Sequence, residues 1–376
     1  MVDVIIIGGG VVGAALAYHL VKHGAKTLLF DREDTGRATT AGAGILAPEL
    51  TGNRSEEWFE FAVKAVETYP ALIEELQADG GGETGYARCG SLMVAVADEE
   101  LTDFSRTEQL IFERQQRRGA PAPENLGLIS AAEAQHRFPP LASVQRAIYY
   151  HQAARVDGLL LAQALRLAAE QHGLVVKKAN VERLLLDGYL VDGVVAAGEA
   201  FKAGAVAIAG GAWSNAFAGQ LLLRIPVEPQ RGQIIHLHLP NLETGDWPII
   251  NSRDGYYLVC WPGGRVVVGA TRETGSGFEP RQTAAGVRRV LDEALWVAPG
   301  LAQAEVKKIR VGLRPLTSDR LPVLGHVPGV DNLYLATGHG ATGLQLGPYS
   351  GKLVADLMLG RPVETDISAF DVRRFG

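Results

Sequence analysis

The residues with the plainest chemical use stand at the start of the chain. Gly8-Gly9-Gly10-Val11-Val12-Gly13 fits the pattern G-x-G-x-x-G. In that pattern the first glycine makes a tight turn, the second lets backbone approach a pyrophosphate, and the third packs helix closely on strand. The helix it opens would present unpaired N–H groups and a positive dipole end to phosphate. Asp31, 23 positions beyond Gly8, is placed to accept hydrogen bonds from ribose hydroxyls. An acid there argues against a cofactor with a 2′-phosphate, but the motif serves FAD and NAD alike. Far along the chain, Arg314 follows an apolar strand and precedes Pro315. That puts a guanidinium, whose two-pronged fork suits a carboxylate, at a strand end. A structural salt bridge is the alternative use of the same residue.

The elements that must position these groups can be read around them. Val2 to Ile7 is a short run rich in β-branched residues, as in a strand buried on both faces of a parallel sheet. Val11 to His23 reads as a helix ended by Gly24, and Lys26 to Phe30 as a second strand, which together make one βαβ unit. Ser55 to Leu76 and Asp98 to Arg118 read as helices; Ser91 to Ala97, Arg146 to Tyr150 and Ala205 to Ala209 read as strands. Gln233 to Leu239, Tyr256 to Trp261 and Arg265 to Val268 alternate between Gly, Pro and Asn, the pattern of antiparallel sheet. A strand at Asn332 to Ala336 and a helix from Gly343 to Met358 return to the character of the first region. The nucleotide domain is therefore expected to be discontinuous, covering 1–85, 150–225 and 325–376. A mainly antiparallel substrate domain, 86–149 and 226–324, is expected to be inserted through it.

Composition narrows the partners. The chain has 376 residues, 47% hydrophobic and 21% charged, as in a soluble globular protein with room for two cores. Its net charge of −6, with both signs mixed throughout, offers no surface built for nucleic acid. Small molecules are the expected partners. Cys89 and Cys260 lie far apart without metal-ligand spacing and are read as free thiols, with no metal site. Asp3 stands where an export signal would be basic, and no run reaches the roughly 20 apolar residues of a membrane span. A cytoplasmic protein is the expectation.

Beyond its first unit the chain resembles the glycine oxidase and D-amino-acid oxidase family of flavoproteins. Three stretches carry the resemblance: Gly36-Arg37-Ala38-Thr39-Thr40-Ala41-Gly42-Ala43-Gly44-Ile45-Leu46, Ala209-Gly210-Gly211-Ala212-Trp213-Ser214, and a third that runs from Val311-Gly312-Leu313-Arg314-Pro315 through Thr337-Gly338-His339-Gly340 to Gly343. The fold it implies is α/β (α+β overall), a Rossmann-like FAD-binding domain with an inserted, mainly antiparallel substrate domain. The cofactor implied is FAD, held noncovalently because no His or Cys falls at a recognisable attachment position. Gly8, Gly10, Val12, Gly13, Asp31 and Arg32 would hold its nucleotide half, with Val181 at the adenine and Gly210 and Trp213 nearby. Thr39 and Thr40 would contact phosphate, and Arg37, Gly44, Ile45 and Leu46 would lead from the pyrophosphate to the flavin ring. Gly340, Ala341, Thr342, Gly343 and Leu344 would aim a helix N-terminus at the flavin pyrimidine edge, with Arg314 beside it.

The resemblance also implies a substrate. Arg314 matches the family's carboxylate-binding arginine and Tyr257 the tyrosine that supports the same carboxylate. His339, beside the flavin-facing turn, is a catalytic candidate or a bond to backbone. The chain departs from glycine oxidases at Ala341, where a basic contact is missing. Arg272 could replace that charge or face solvent. The Gly-His-Gly turn is also similar to D-amino-acid and D-proline dehydrogenases and to flavin subunits of sarcosine-oxidising complexes. The expected reaction is oxidation of the Cα–N bond of a small amino acid (a D-amino acid, glycine or an N-alkyl glycine) to an imine that hydrolyses to the 2-oxo acid. Oxygen would take the electrons and give peroxide. The alternatives are a dehydrogenase subunit that hands electrons to a partner, and an NAD-dependent dehydrogenase. A homo-oligomer and a subunit of a larger complex both remain open.

Overall fold

The computed structural model describes residues 2–376 apart from Asn53 and Leu222. Its first sheet grows outward from the strand Val2–Ile7, which has Thr27–Phe30 parallel on one side and Glu199–Ile208 parallel on the other. Leu333–Thr337 and Val175–Lys177 extend the sheet in parallel at either end. A strand covered on both faces must be apolar throughout. Ile6 accordingly enters the core beneath the main helices, and Ile5 the core on the opposite face.

The helices Val11–Lys22, Gly158–Gln171 and Gly343–Met358 share the first of these cores. Two of them meet backbone to backbone, because a Cβ on Gly351 would stand 2.7 Å from the amide nitrogen of Leu16. That close approach fixes the two helix N-termini side by side at the carboxyl ends of the parallel strands.

The second sheet runs in the order Glu273–Thr274, Glu228–His238, Arg265–Gly269, Tyr257–Trp261, Ile249–Asn251, Ser91–Ala95, Arg146–Tyr150 and Leu126–Ile129, with Glu305–Leu316 also paired to Glu228–His238. It is antiparallel except where Ile249–Asn251 meets Ser91–Ala95. One face packs on the helices Ala131–Arg137 and Ala284–Val297, which fill a core with Phe138, Leu258 and Val290. The other face carries Ile234, Val259 and Ala270 with Tyr257 against them.

Two expectations are corrected. The single helix expected from Ser55 to Leu76 is two, Glu56–Glu67 and Tyr69–Ala78. Pro70 has no N–H to continue the first, and the Thr68 hydroxyl donates to the Ala65 carbonyl at the break. The strand expected from Gln233 spans Glu228–His238, since it is paired along that whole length with Glu305–Leu316. Among the described residues no helix is long and apolar enough to cross a membrane, and no group of His, Cys, Asp and Glu is placed to hold a metal.

Candidate active site

A cavity of about 370 Å³ opens at the carboxyl ends of the first sheet's strands and reaches the open face of the second. Sites for small organic ligands have this order of size. Its nucleotide end is built by the glycine turn. Gly8 adopts φ 107°, a conformation that L side chains rarely take, and a Cβ on Gly13 would stand 1.9 Å from the Gly8 carbonyl oxygen. Gly13 therefore lets the helix seat on the strand and does not itself line the cavity, whereas Gly8, Gly10 and Val12 do. Gly10 provides no side-chain cap for this helix; the Val11 amide donates to the Thr39 hydroxyl at 3.1 Å.

Asp31 closes the same end. Its carboxylate accepts from the Glu33 amide at 3.0 Å and from Arg37 at 3.0 Å. Arg32 pairs with Asp34 at 2.5 Å and lies over the Trp213 ring, which stacks on Phe278. Val181 and Gly210 complete this part of the wall. Of the segment that follows, Arg37, Thr39, Gly44 and Ile45 line the cavity. Thr40 and Leu46 do not line it. The Thr40 hydroxyl donates back to the Arg37 carbonyl at 3.0 Å, and Leu46 is fully buried in the helix-side core.

The C-terminal turn forms the middle of the wall through Gly340, Ala341, Thr342, Gly343 and Leu344. The helix that begins at Gly343 has no side-chain cap from Thr342. His339 is 3% exposed, and its Nε2 lies 3.0 Å from the Ser350 hydroxyl. That hydroxyl already donates to the Leu346 carbonyl, so Nε2 is the donor to Ser350. Burial pushes this imidazole down to about 3, which keeps it neutral and makes it a brace of the turn.

At the far end Arg314 projects from Glu305–Leu316. Its Nη1 donates to the Thr271 carbonyl at 2.8 Å and to Gln230 Oε1 at 3.2 Å. Among the described residues no carboxylate lies within ion-pair distance of it, so the structural salt bridge is set aside. The guanidinium has room because Gly232 lies beneath it, where a Cβ would stand 2.5 Å from Nη2. Burial lowers its pKa from the ordinary arginine value, and Arg272 adds to the effect. Tyr257 lines the same wall, its phenol pushed up by burial and partly drawn back by Arg314 and Arg272. Arg272 is both exposed and on the wall, anchored to the carbonyls of Asp254 at 2.7 Å and Gly255 at 2.9 Å.

Sequence reasoning missed Arg54, Trp58 and Gln345, all on the wall. Trp58 Nε1, Gln345 Nε2 and Arg37 Nε are buried N–H donors without a partner among the described residues. Buried donors are normally satisfied. Three on one cavity, beside two helix N-termini without side-chain caps, fit an acceptor-rich ligand with phosphates and ring carbonyls. FAD is such a ligand.

Comparison with known proteins agrees with that fit. Residues 3–357 match the DAO family of FAD-dependent oxidoreductases. An uncharacterised oxidoreductase of Bacillus subtilis is 40% identical over 99% of this chain and 98% of its own. A glycine oxidase of Geobacillus kaustophilus is 32% identical over 99% of this chain and 97% of its own. Among solved structures, iminodiacetate oxidase from Chelativorans sp. BNC1 superposes with a TM-score of 0.92 at 39% identity, covering 98% of each chain. Glycine oxidase from Geobacillus kaustophilus does so with 0.87 at 30% identity, covering 99% of this chain and 98% of its own. The chain therefore belongs to the DAO family of FAD-dependent oxidoreductases, and its Rossmann-like fold and its cofactor are those of a flavoenzyme.

Proposed function

We propose that this enzyme oxidises the Cα–N bond of a small amino acid, either a D-amino acid, glycine or an N-alkyl glycine. The substrate loses two electrons and two protons to become an imine, and water converts the imine to a 2-oxo acid and an amine. Oxygen takes the two electrons and two protons and leaves as peroxide. The observation that carries this reading is Arg314, an enclosed guanidinium held only by neutral acceptors beside the Tyr257 phenol. Relatives named for glycine and for iminodiacetate support it, because both compounds contain the fragment N–CH₂–carboxylate.

FAD, when bound, supplies the two-electron acceptor. The protein's own part is to bind and orient. Arg314 offers its fork to the substrate carboxylate and fixes its plane, and the Tyr257 hydroxyl adds a further bond. Only the neutral amine can be oxidised. Arg314 and Arg272 disfavour a nearby ammonium and so lower the amine's affinity for its proton. His339, neutral and bonded to Ser350, takes no part in that transfer, and the proton leaves to water.

The cofactor contacts named above are part of the same proposal, as is the division of the chain into 1–85, 150–225 and 325–376 against 86–149 and 226–324. The strands of the second sheet all derive from the latter pair of segments, save the last residue of Arg146–Tyr150. A cytoplasmic location completes it. The test is a panel of glycine, sarcosine, D-alanine and D-proline, assayed for peroxide and 2-oxo acid. Equal amounts of both from at least one of them are expected. Oxo acid without peroxide would move the electrons to a carrier other than oxygen.

A further inference from the structure

Seven charged side chains line the cavity: Asp31, Arg32, Asp34, Arg37, Arg54, Arg272 and Arg314. Four of them cancel at the nucleotide end, in the pairs Asp31 with Arg37 and Arg32 with Asp34. The three that remain are all arginines, and among the described residues each hydrogen-bonds to neutral oxygen alone. Arg54 donates to the Arg320 carbonyl at 3.1 Å and lies over the Trp58 ring. Arg272 is held by two backbone carbonyls, and Arg314 by one carbonyl and one amide oxygen.

A substrate with one carboxylate neutralises one of these cations. With the cofactor's phosphates at the glycine turn, two would remain at the Arg314 end of the same wall. Arg272 shares the cavity wall with both others, and after burial, and for Arg54 after Arg320, it makes the proton of Arg54 and of Arg314 easier to lose. The one carboxylate that acts on Arg314, Glu273, is itself paired with Arg231, so these cations repel one another and negative charge entering among them is favoured.

We propose that the substrate is an amino dicarboxylate, whose α-carboxylate meets Arg314 and whose second carboxylate is held by Arg272 and Arg54. This rests on the reading of Arg314 given above. The second carboxylate can sit on an N-linked arm, as in iminodiacetate, or on a side chain, as in D-aspartate and D-glutamate.

The test uses the flavin-loaded full chain. Steady-state oxidation of iminodiacetate, D-aspartate and D-glutamate is compared with that of sarcosine, glycine and D-alanine. At least one dicarboxylate is expected to exceed its one-carboxylate counterpart in kcat/KM by ten- to a hundredfold, the range for hydrogen bonds between charged groups. Which arm of the panel wins identifies where the second carboxylate sits. Arg272→Gln and Arg54→Gln, checked for full flavin content, should each reduce that preference at least tenfold. As a binding measurement apart from turnover, glutarate and butyrate are titrated against the flavin spectrum. Glutarate should bind at least tenfold more tightly, and Arg272→Gln should remove the difference. Oxidation of one-carboxylate substrates with no preference for dicarboxylates would overturn this inference and leave the proposed reaction standing. Failure of every compound in both groups to be oxidised would overturn both.

Discussion

Arg314 carries most of the functional reading, and its surroundings decide how it can be tested. Arg314→Ala should keep flavin and fold while weakening substrate and carboxylate inhibitors by roughly 1.5–3 kcal/mol, about one to two powers of ten. Arg314→Lys should recover part of that, since a point charge retains attraction but loses the planar fork. Gly232→Ala should act at the same place by a different route. A Cβ there would press on the guanidinium at 2.5 Å, so KM is expected to rise about tenfold with flavin content unchanged. Steady-state kinetics and inhibitor titration check all three, and unchanged constants would show that the carboxylate is held elsewhere. That Arg314 and Tyr257 would reach the cavity could be anticipated, Arg314 from its strand-end position before Pro315 and Tyr257 from the family resemblance. Gly232 could not, because it meets the Arg314 guanidinium only through the register of two strands far apart in sequence. Arg54, Trp58 and Gln345 carry no local pattern that marks them as facing a cavity.

At the scale of elements, the proposed cradle of the cofactor is the glycine turn with the two adjoining helix N-termini. A Cβ on Gly10 would lie 3.2 Å from the Thr39 hydroxyl, so the two branches of valine have nowhere to go but into the phosphate space. Gly10→Val is expected to purify with little flavin, and normal flavin content per chain would remove this turn from the site. The βαβ unit was readable from its first residues because apolar run, glycines and helix follow without interruption. The hairpin of Val181–Asp187 and Leu190–Ala196 had a signal in Asp187-Gly188, but its strands alternate irregularly between exposed and buried residues. The break at Pro70 follows from its missing N–H, and the amphipathic pattern on either side conceals it.

Of the three imidazoles that the fold pushes to about 4 or below, His19, His236 and His339, the last two are enclosed in the core. Burial pushes His339 down to about 3 and, with help from Arg310, Lys308 and Arg265, pushes His236 to about 4, against an ordinary value of 6.5. In the unfolded chain both take up protons below pH 6.5, while in the folded chain neither does until well below pH 5. The stability that depends on their neutrality is therefore complete above pH 6.5 and is lost as pH falls toward 4. Each contributes a slope of about 1.4 kcal/mol per pH unit, so together about 3. Denaturant melts between pH 7 and 5 should show this fall, and His339→Gln should flatten it. Acid precipitation tests the noncovalent cofactor. The His339 ring is engaged with Ser350 and the two cysteines, Cys89 and Cys260, are off the cavity wall, so all the flavin should leave the pellet. The central claim, that the bound flavin oxidises an amino acid, is tested most directly by anaerobic mixing of the purified enzyme with amino mono- and dicarboxylates. The visible flavin absorbance should bleach, with one 2-oxo acid formed per flavin reduced. An absorbance that stays unchanged with every such compound, in a preparation with full flavin content, would contradict it.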